Sequence, residues 1–200
     1  MSFDFKNDPI DNFLNLYKEA QVRGIPEAHA MTLATANKEN QPSVRIVYFK
    51  GMFEVQGRRG LCFYTNYNGR KGLDIENNPL AAANFFWPHQ DRQVRFEGRV
   101  QRLPRELSES YFATRPRLSQ AGAWASAQSE KIDSYQSLTL KISEIEKMYK
   151  GKPIPCPPNW GGYCLLPHEI EFWFGRAGRL HERYVYQFSG GQWDRFLRSP

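Results

Sequence analysis

Basic residues recur in four separated segments of this chain, and each segment has the make-up to hold an anion. In "RIVYFK", Arg45 and Lys50 bracket an apolar run that includes Ile46, Val47, Tyr48 and Phe49. A charge in a core strand must reach the rim or meet a counter-ion. The odd spacing puts Arg45 and Lys50 on opposite faces of a strand unless a bulge intervenes. In "YTNYNGRK", a strand ends in Tyr64-Thr65, turns through Asn68-Gly69, and delivers Arg70 and Lys71 at the start of a helix. Free backbone N–H groups, a hydroxyl and two cations there make a phosphate cradle. It is not a P-loop, because the glycine pattern and the following Ser/Thr are missing.

The third segment is "ESYFATRPRLSQAGAWASAQS". Tyr111 and Arg115 stand four apart and share a helix face. Pro116 biases Arg115 out of the helix, which would gather Arg115, Arg117 and Ser119 around a corner. Gln128 and Ser129 then open a long helix. In the fourth, "RLHERYVY", a period of two puts Arg179, His181 and Arg183 on one strand face beside Trp173, with Leu180 and Tyr184 turned into the fold. Three like charges in a row are unfavourable unless something anionic or aromatic offsets them. Each segment taken alone also reads as solvated surface.

The rest of the sequence narrows the chemistry. His29, His89 and His168 have no partners suggesting a metal site or a Ser/His/Asp arrangement, and no convincing carboxylate pair appears. Cys62, Cys156 and Cys164 lack CxxC or metal-like spacing, and "MSFDFKNDPIDNF" does not resemble a signal peptide, so a reduced cytoplasmic setting is expected. A net charge of +6 favours acidic partners. No apolar run approaches the roughly 20 residues that span a bilayer.

The elements that must position these groups can be read coarsely. Asp8-Pro9 opens a helix carrying Ile10, Phe13, Leu14 and Tyr17, with Gly24 as its stop. Strands are expected at 30–36, 43–50 and 61–66, with a polar glycine-containing loop between the last two. A short helix over 70–78 stops at Pro79. Segments 80–87 and 92–103 pair across the Pro88–Asp91 turn. Helices follow at about 105–115 and 126–149, separated by "RPRLSQAGAW", and 150–162 is an irregular connection. Closing strands fit "YCLLPHEIEFWF", "RLHERYVYQF" and "QWDRFLR", the last two joined around Gly190-Gly191. The expectation is a mainly β protein with peripheral helices: a barrel of about seven antiparallel strands in one domain spanning 1–200.

Taken in order, "RIVYFK", "FYTNYNGRK", "IENNP", "RQVRFEGRVQRL", "YFATRPRLSQAGAWASAQS", "EFWFG" and "RLHERYVY" resemble the pyridoxine/pyridoxamine 5′-phosphate oxidase family, from about residue 8 to Pro200. The resemblance implies a split-barrel flavoprotein and a homodimer, with FMN in clefts at the subunit interface. Residues from about 155 to 200 would serve dimerisation and substrate binding. Its implied activity is oxidation of pyridoxamine or pyridoxine 5′-phosphate to pyridoxal 5′-phosphate, with O2 as acceptor and hydrogen peroxide released. The implied FMN contacts are Arg45, Ile46, Val47, Tyr48, Phe49, Lys50, Tyr64, Thr65, Arg70 and Lys71, joined across the interface by Gln93, Gln128, Ser129, Trp173 and Arg183. The substrate phosphate would meet Lys50, Tyr111, Arg115 and Ser119. Arg179 and His181 would close over the pyridine ring as the catalytic pair.

The chain departs from the family pattern in carrying Tyr48-Phe49 where Leu-Leu is usual, and it begins close to its first helix. Two rival readings remain at this point. One is a split-barrel flavin oxidase of another pathway, such as a phenazine-type enzyme. The other is a non-catalytic FMN or pyridoxal-phosphate carrier, or a basic nucleic-acid binder. The scatter of basic residues among core-like strands speaks against nucleic acid, which calls for one long exposed basic face. Neither nucleic acid, metal nor membrane is an expected partner.

Overall fold

In the computed structural model, residues 3–200 are described. Asp8 starts α1 (Pro9–Val22) by accepting from the N–H groups of Ile10 at 2.8 Å and Asp11 at 3.3 Å, while Pro9 has no N–H to satisfy. The helix ends before Gly24, whose φ of 67° is the left-handed value a chain reversal needs.

Nine strands follow: β1 (Ala30–Ala36), β2 (Pro42–Tyr48), β3 (Met52–Val55), β4 (Arg58–Asn66), β5 (Leu80–Trp87), β6 (Arg92–Arg102), β7 (Trp160–Phe174), β8 (Glu182–Ser189) and β9 (Gln192–Leu197). Between them lie α2 (Arg70–Asn77), α3 (Arg105–Ala113), α4 (Arg117–Ala125) and α5 (Tyr135–Met148). Every pairing is antiparallel, in the order β2-β1-β5-β6-β7-β4-β3, and β8 joins β7 and β9. The 15-residue β7 holds the split-barrel together: β6 runs along one edge, while β4 takes the first part of the other edge and β8 the second. Opposite Glu97/Gly98 the register shifts, leaving His168 of β7 as the extra residue, and this bulge bends β7 to follow the curve.

The interior is aromatic. Phe13 of α1 sits 5.4 Å from Phe49, 4.8 Å from Phe85 and 5.0 Å from Phe96, ring centre to ring centre. All four are nearly inaccessible to solvent, so the helix plugs the curled sheet, each ring contributing about 1.5–3 kcal/mol by burial.

Four expectations are corrected. The described residues form nine strands rather than about seven, partly because the expected polar loop after Gly51 is a hairpin, turning at Gln56 (φ 51°) and Gly57 (φ 73°). Two consecutive left-handed residues make the turn that suits strand twist. "RPRLSQAGAW" is no separator but most of α4. The helix expected from 126 starts only at Tyr135, where Ser134 caps it by accepting from the Ser137 N–H, so Gln128 and Ser129 lie in the connection before it. Finally, β8 begins at Glu182: Arg179 ends a single 3-10 turn with φ 61°. The period-two argument therefore does not apply to Arg179 and His181, and Leu180, expected inside, is 73% exposed.

Candidate functional site

Strand β2 stops at Tyr48, and this resolves the Arg45–Lys50 spacing without a bulge. The Phe49 N–H donates to the His29 carbonyl and the Lys50 N–H crosses to that of Cys62, both at 2.8 Å. Gly51 turns the chain with φ 104°. Arg45 and Lys50 consequently line the same open cavity, of about 540 Å³, together with Ile46, Val47 and Tyr48. Phe49, expected among the site residues, has its ring in the core between Phe13 and Phe85.

Arg45 is fixed by its donors: Nη1 to Thr35 Oγ1 at 2.7 Å and to the Leu33 carbonyl at 3.2 Å, Nη2 to Ser43 Oγ at 2.8 Å. Thr35 in turn donates to buried Asp74, 3.8 Å from the guanidinium. Burial favours the neutral form of Arg45 and Asp74 opposes that, so the cation is held by a carboxylate one layer behind it.

The β4–α2 corner supplies the next group. Lys71 Nζ donates to Gln128 Oε1 at 2.8 Å and to Thr65 Oγ1 at 3.1 Å. Burial and the charge of Arg45 lower its pKa. Gly69 lies against this knot, since a Cβ there would come 2.6 Å from Gln128 Oε1. The two cations of the expected cradle diverge. Lys71 enters the cavity, whereas Arg70 lines a neighbouring depression with Ser129, whose Oγ accepts the Arg70 N–H at 3.1 Å. Gln128 and Ser129 thus meet 65–71 within one chain, rather than across an interface as expected.

Tyr111, Arg115, Pro116 and Ser119 also line the cavity, with Thr114 and Trp160, which the sequence pattern did not single out. Arg117 is not with them: it donates to the carbonyls of Tyr149 at 2.6 Å and Lys152 at 3.0 Å, clamping the end of α5. Tyr64 and Tyr111 stack at 4.0 Å, and Trp160 lies parallel to Tyr64 at 5.6 Å. Burial is the chief reason the Tyr64 phenol is pushed up to about 12. The Arg115 guanidinium sits 4.6 Å over the Trp160 ring, and its Nη1 is buried without a hydrogen-bond partner. Such a group costs about 1–3 kcal/mol unless an acceptor arrives. The signal for Trp160 was the "WGG" at the end of the proline-rich connection, where small residues bring Tyr67 and Ser108 against the backbone of Gly161.

Gln93, Trp173 and Arg183 lie outside this cavity. They face one another across β6, β7 and β8 as direct register partners. Arg183 grips buried Glu171, with Nη2 at 2.7 and 3.0 Å from its two oxygens, and Arg198 Nη1 adds a contact at 2.8 Å. Burial pushes the Glu171 carboxyl up, but the Arg183 hydrogen bonds and the charges of Arg95 and Arg183 more than reverse this. His181 packs 4.7 Å from Trp173, and its Nδ1 accepts the Arg176 N–H at 3.2 Å. Arg179 is exposed beside it. Phe86 is the register partner of Gln93, and the row of Glu171 runs through Arg95, Asn84 and Thr32 to Ile46; Ile46, Phe86 and the β2 end residue Tyr48 are 67%, 55% and 48% exposed.

The site residues therefore form two sets in one chain. One is a cavity of cations and aromatic faces suited to phosphorylated, planar ligands. The other is an outward row of Gln93, Trp173, His181 and Arg183. Among the described residues no cluster of His, Cys, Asp or Glu suits a metal, and no helix is long and apolar enough to cross a membrane.

Comparison with known proteins gives two matches along the chain: "Pyridoxamine 5′-phosphate oxidase" over residues 17–149 and "Pyridoxine 5′-phosphate oxidase C-terminal dimerisation region" over 160–200. A protein from Bdellovibrio bacteriovorus named pyridoxine/pyridoxamine 5′-phosphate oxidase is 49% identical, covering 99% of this chain and 100% of the relative. One of the same name from Rubrobacter xylanophilus is 48% identical over 96% of this chain and 87% of its own. Among solved structures, PhzG from Burkholderia lata, in complex with tetrahydrophenazine-1-carboxylic acid, superposes with a TM-score of 0.88 at 28% identity, covering 96% of this chain and 93% of that one. A pyridoxamine 5′-phosphate oxidase-related, FMN-binding protein from Nostoc punctiforme shares the fold, with a TM-score of 0.76 at 16% identity over 98% of this chain and 100% of its own.

Proposed function

The chain belongs to the pyridoxamine 5′-phosphate oxidase family, and from that premise we propose that it oxidises pyridoxamine or pyridoxine 5′-phosphate to pyridoxal 5′-phosphate, with FMN as cofactor and O2 as acceptor. The amine would leave as ammonia after hydrolysis, and O2 would leave as hydrogen peroxide. FMN, when bound, supplies the two-electron chemistry that no side chain of the cavity can perform.

The observation that carries this reading is the cavity itself. Arg45, Lys50, Lys71 and Arg115 converge on it from separate elements, and the Arg115 Nη1 is buried and unpaired. In this assignment Arg45, Thr65, Lys71 and Gln128 hold the flavin phosphate, with Arg70 and Ser129 at its edge. The backbone of 45–50 borders the flavin ring. Lys50, Tyr111, Arg115 and Ser119 hold the substrate phosphate, the guanidinium of Arg115 being kept in place by Trp160. Cations already fixed by protein partners need little reorganisation when a dianion binds.

Gln93, Trp173 and Arg183 lie outside that cavity, so a second copy of the chain would present them to it. The match to a dimerisation region and the exposed apolar Ile46, Tyr48 and Phe86 support a homodimer with FMN at its interface. Residues 1–200 then act as one domain, with about 155–200 serving dimerisation and substrate closure. Arg179 and His181, on the turn before β8, would come over the substrate ring, orient it and handle the proton of its amine or hydroxyl.

The phenazine-type alternative draws on the PhzG likeness. The relatives at 48–49% identity favour the vitamin B6 reading over it. The test is direct: the purified protein should be yellow, release FMN on denaturation, and form pyridoxal 5′-phosphate and peroxide from pyridoxamine 5′-phosphate in air. A protein that takes up no FMN refutes the oxidase. Bound FMN with no turnover of either phosphate refutes the substrate assignment.

A further inference from the structure

Two thiols that the proposed reaction does not use stand face to face beside the cavity. Cys62 on β4 and Cys164 on β7 are direct register partners. Both backbone groups of Cys62 turn away from β7: its N–H donates to Gly51 at 2.9 Å and its carbonyl accepts from Lys50 at 2.8 Å. Cys62 and Cys164 are therefore a non-hydrogen-bonded antiparallel pair. Such pairs bring Cα atoms to about 4.5 Å and side chains closest together, inside the roughly 4.4–6.8 Å window that a disulfide spans.

The two thiols lie in an apolar cluster with Leu103, flanked by Phe53 and Tyr64, and the Cys164 Sγ donates to the Phe53 carbonyl at 3.8 Å. The neighbouring Cys164 and burial hold Cys62 protonated, while the Cys62 thiol beside it favours the thiolate of Cys164. Cys156 stands apart, with its Sγ directed at the carbonyls of Pro157 and Trp160.

We propose that Cys62 and Cys164 form a reversible dithiol–disulfide couple, oxidised by peroxide and sensed at the anion cavity. The Cys164 thiolate attacks one peroxide oxygen, the O–O bond breaks, and hydroxide leaves as water after gaining a proton. Cys62 sulfur then attacks the Cys164 sulfenic acid, the S–O bond breaks, and a second water leaves with the Cys62 proton. Two thiols and one peroxide become one disulfide and two waters; the sulfurs lose two electrons and the peroxide gains them. A small-molecule thiol reverses the change. The cavity registers it because the Cys62 carbonyl anchors the Lys50 N–H, and Tyr64 touches both the thiol cluster and the cavity. As a source of peroxide, the enzyme's own turnover rests on the proposed function, so the experiment supplies peroxide separately.

The holoprotein is treated with hydrogen peroxide, alkylated, and digested without reduction. The expected result is a Cys62–Cys164 peptide, a chain lighter by two hydrogens, and full reversal by dithiothreitol. Cys62→Ala and Cys164→Ala should each abolish the cross-link, and Cys156→Ala should not. Inorganic phosphate, followed through tryptophan fluorescence, should bind the oxidised protein several-fold more weakly, with no such change in peroxide-treated Cys62→Ala. A cross-link through Cys156, a link between chains, or sulfinic acid with no cross-link overturns the couple. A Cys62–Cys164 link with unaltered phosphate binding overturns its transmission to the cavity. Failure to make pyridoxal 5′-phosphate would refute the oxidase reading and leave these outcomes as they stand.

Discussion

Replacing Arg115 by methionine removes the guanidinium while keeping an unbranched apolar stem over Trp160 and Phe112, which lie 4.6 and 5.4 Å from the cation. The fold should tolerate this, because the variant also removes a buried, unpaired Nη1 and the cost of burying it. The loss falls on the bound anion. A hydrogen bond to a charged group contributes about 1.5–3 kcal/mol, and each 1.4 kcal/mol is tenfold, so binding of the substrate phosphate should weaken by about 10- to 150-fold. The phosphate is remote from the carbon being oxidised, so KM should carry most of the change and kcat little. Steady-state kinetics at several pyridoxamine 5′-phosphate concentrations, alongside fluorimetric FMN titration and a melting curve, separate the three effects. If KM rises less than about threefold, well under the smallest charge-assisted contribution, Arg115 does not hold the substrate phosphate. An equal loss of FMN affinity would contradict the division of the cavity between two anions.

Two further outcomes follow from other parts of the site. Gly69→Ala keeps a permitted backbone, with φ −72°, but its new Cβ meets Gln128 Oε1 at 2.6 Å. Pushing Gln128 off Lys71 should weaken FMN binding by about tenfold, the worth of one charge-assisted hydrogen bond, with the melting temperature nearly unchanged. Glu171→Gln leaves Arg95, Arg183 and Arg198 without their shared, 2%-exposed carboxylate. Breaking a buried pair costs about 3–5 kcal/mol. These arginines are 22–35% exposed and regain some water, so about 2–3 kcal/mol is expected, a melting point lower by about 4–12 °C. Because folding depresses the Glu171 pKa, its contribution is complete above the unfolded value of about 4.3 and is lost as pH falls through the folded one. The gap between wild type and variant should therefore close in acid; a gap that widened below pH ~4 would reverse the sign of this argument.

Local chemistry makes much of the molecule legible in its amino-acid order. Asp8-Pro9 and Gly24 delimit α1 through capping and backbone freedom, and the apolar runs of β1, β5 and β7 and the alternation of β6 show their burial. Ordered blocks are enough to indicate the family. Local pattern fails where a short, glycine-flanked segment has weak preference of its own. Met52–Val55 becomes a strand because β4 offers it a partner, and Arg117–Ala125 becomes a helix because it packs against α5. The same limit applies to side-chain direction. Period two aligns Arg179, His181 and Arg183, but the strand starts at Glu182, and no pattern in "RAGRLHERYVY" marks that boundary.

Residue types and their spacing dictate what chemistry is on offer: repeated cations, aromatic faces, and no metal-like spacing or Ser/His/Asp arrangement. Which of these groups meet is settled by the folded sheet. It set Arg45 and Lys50 in one cavity by ending β2, brought Gln128 onto Lys71 across 57 residues of chain, turned Arg117 away to clamp α5, and left Arg115 unpaired over Trp160. Strand ends, register and long-range hydrogen bonds are cooperative properties of the whole sheet, so no window of neighbouring residues contains them.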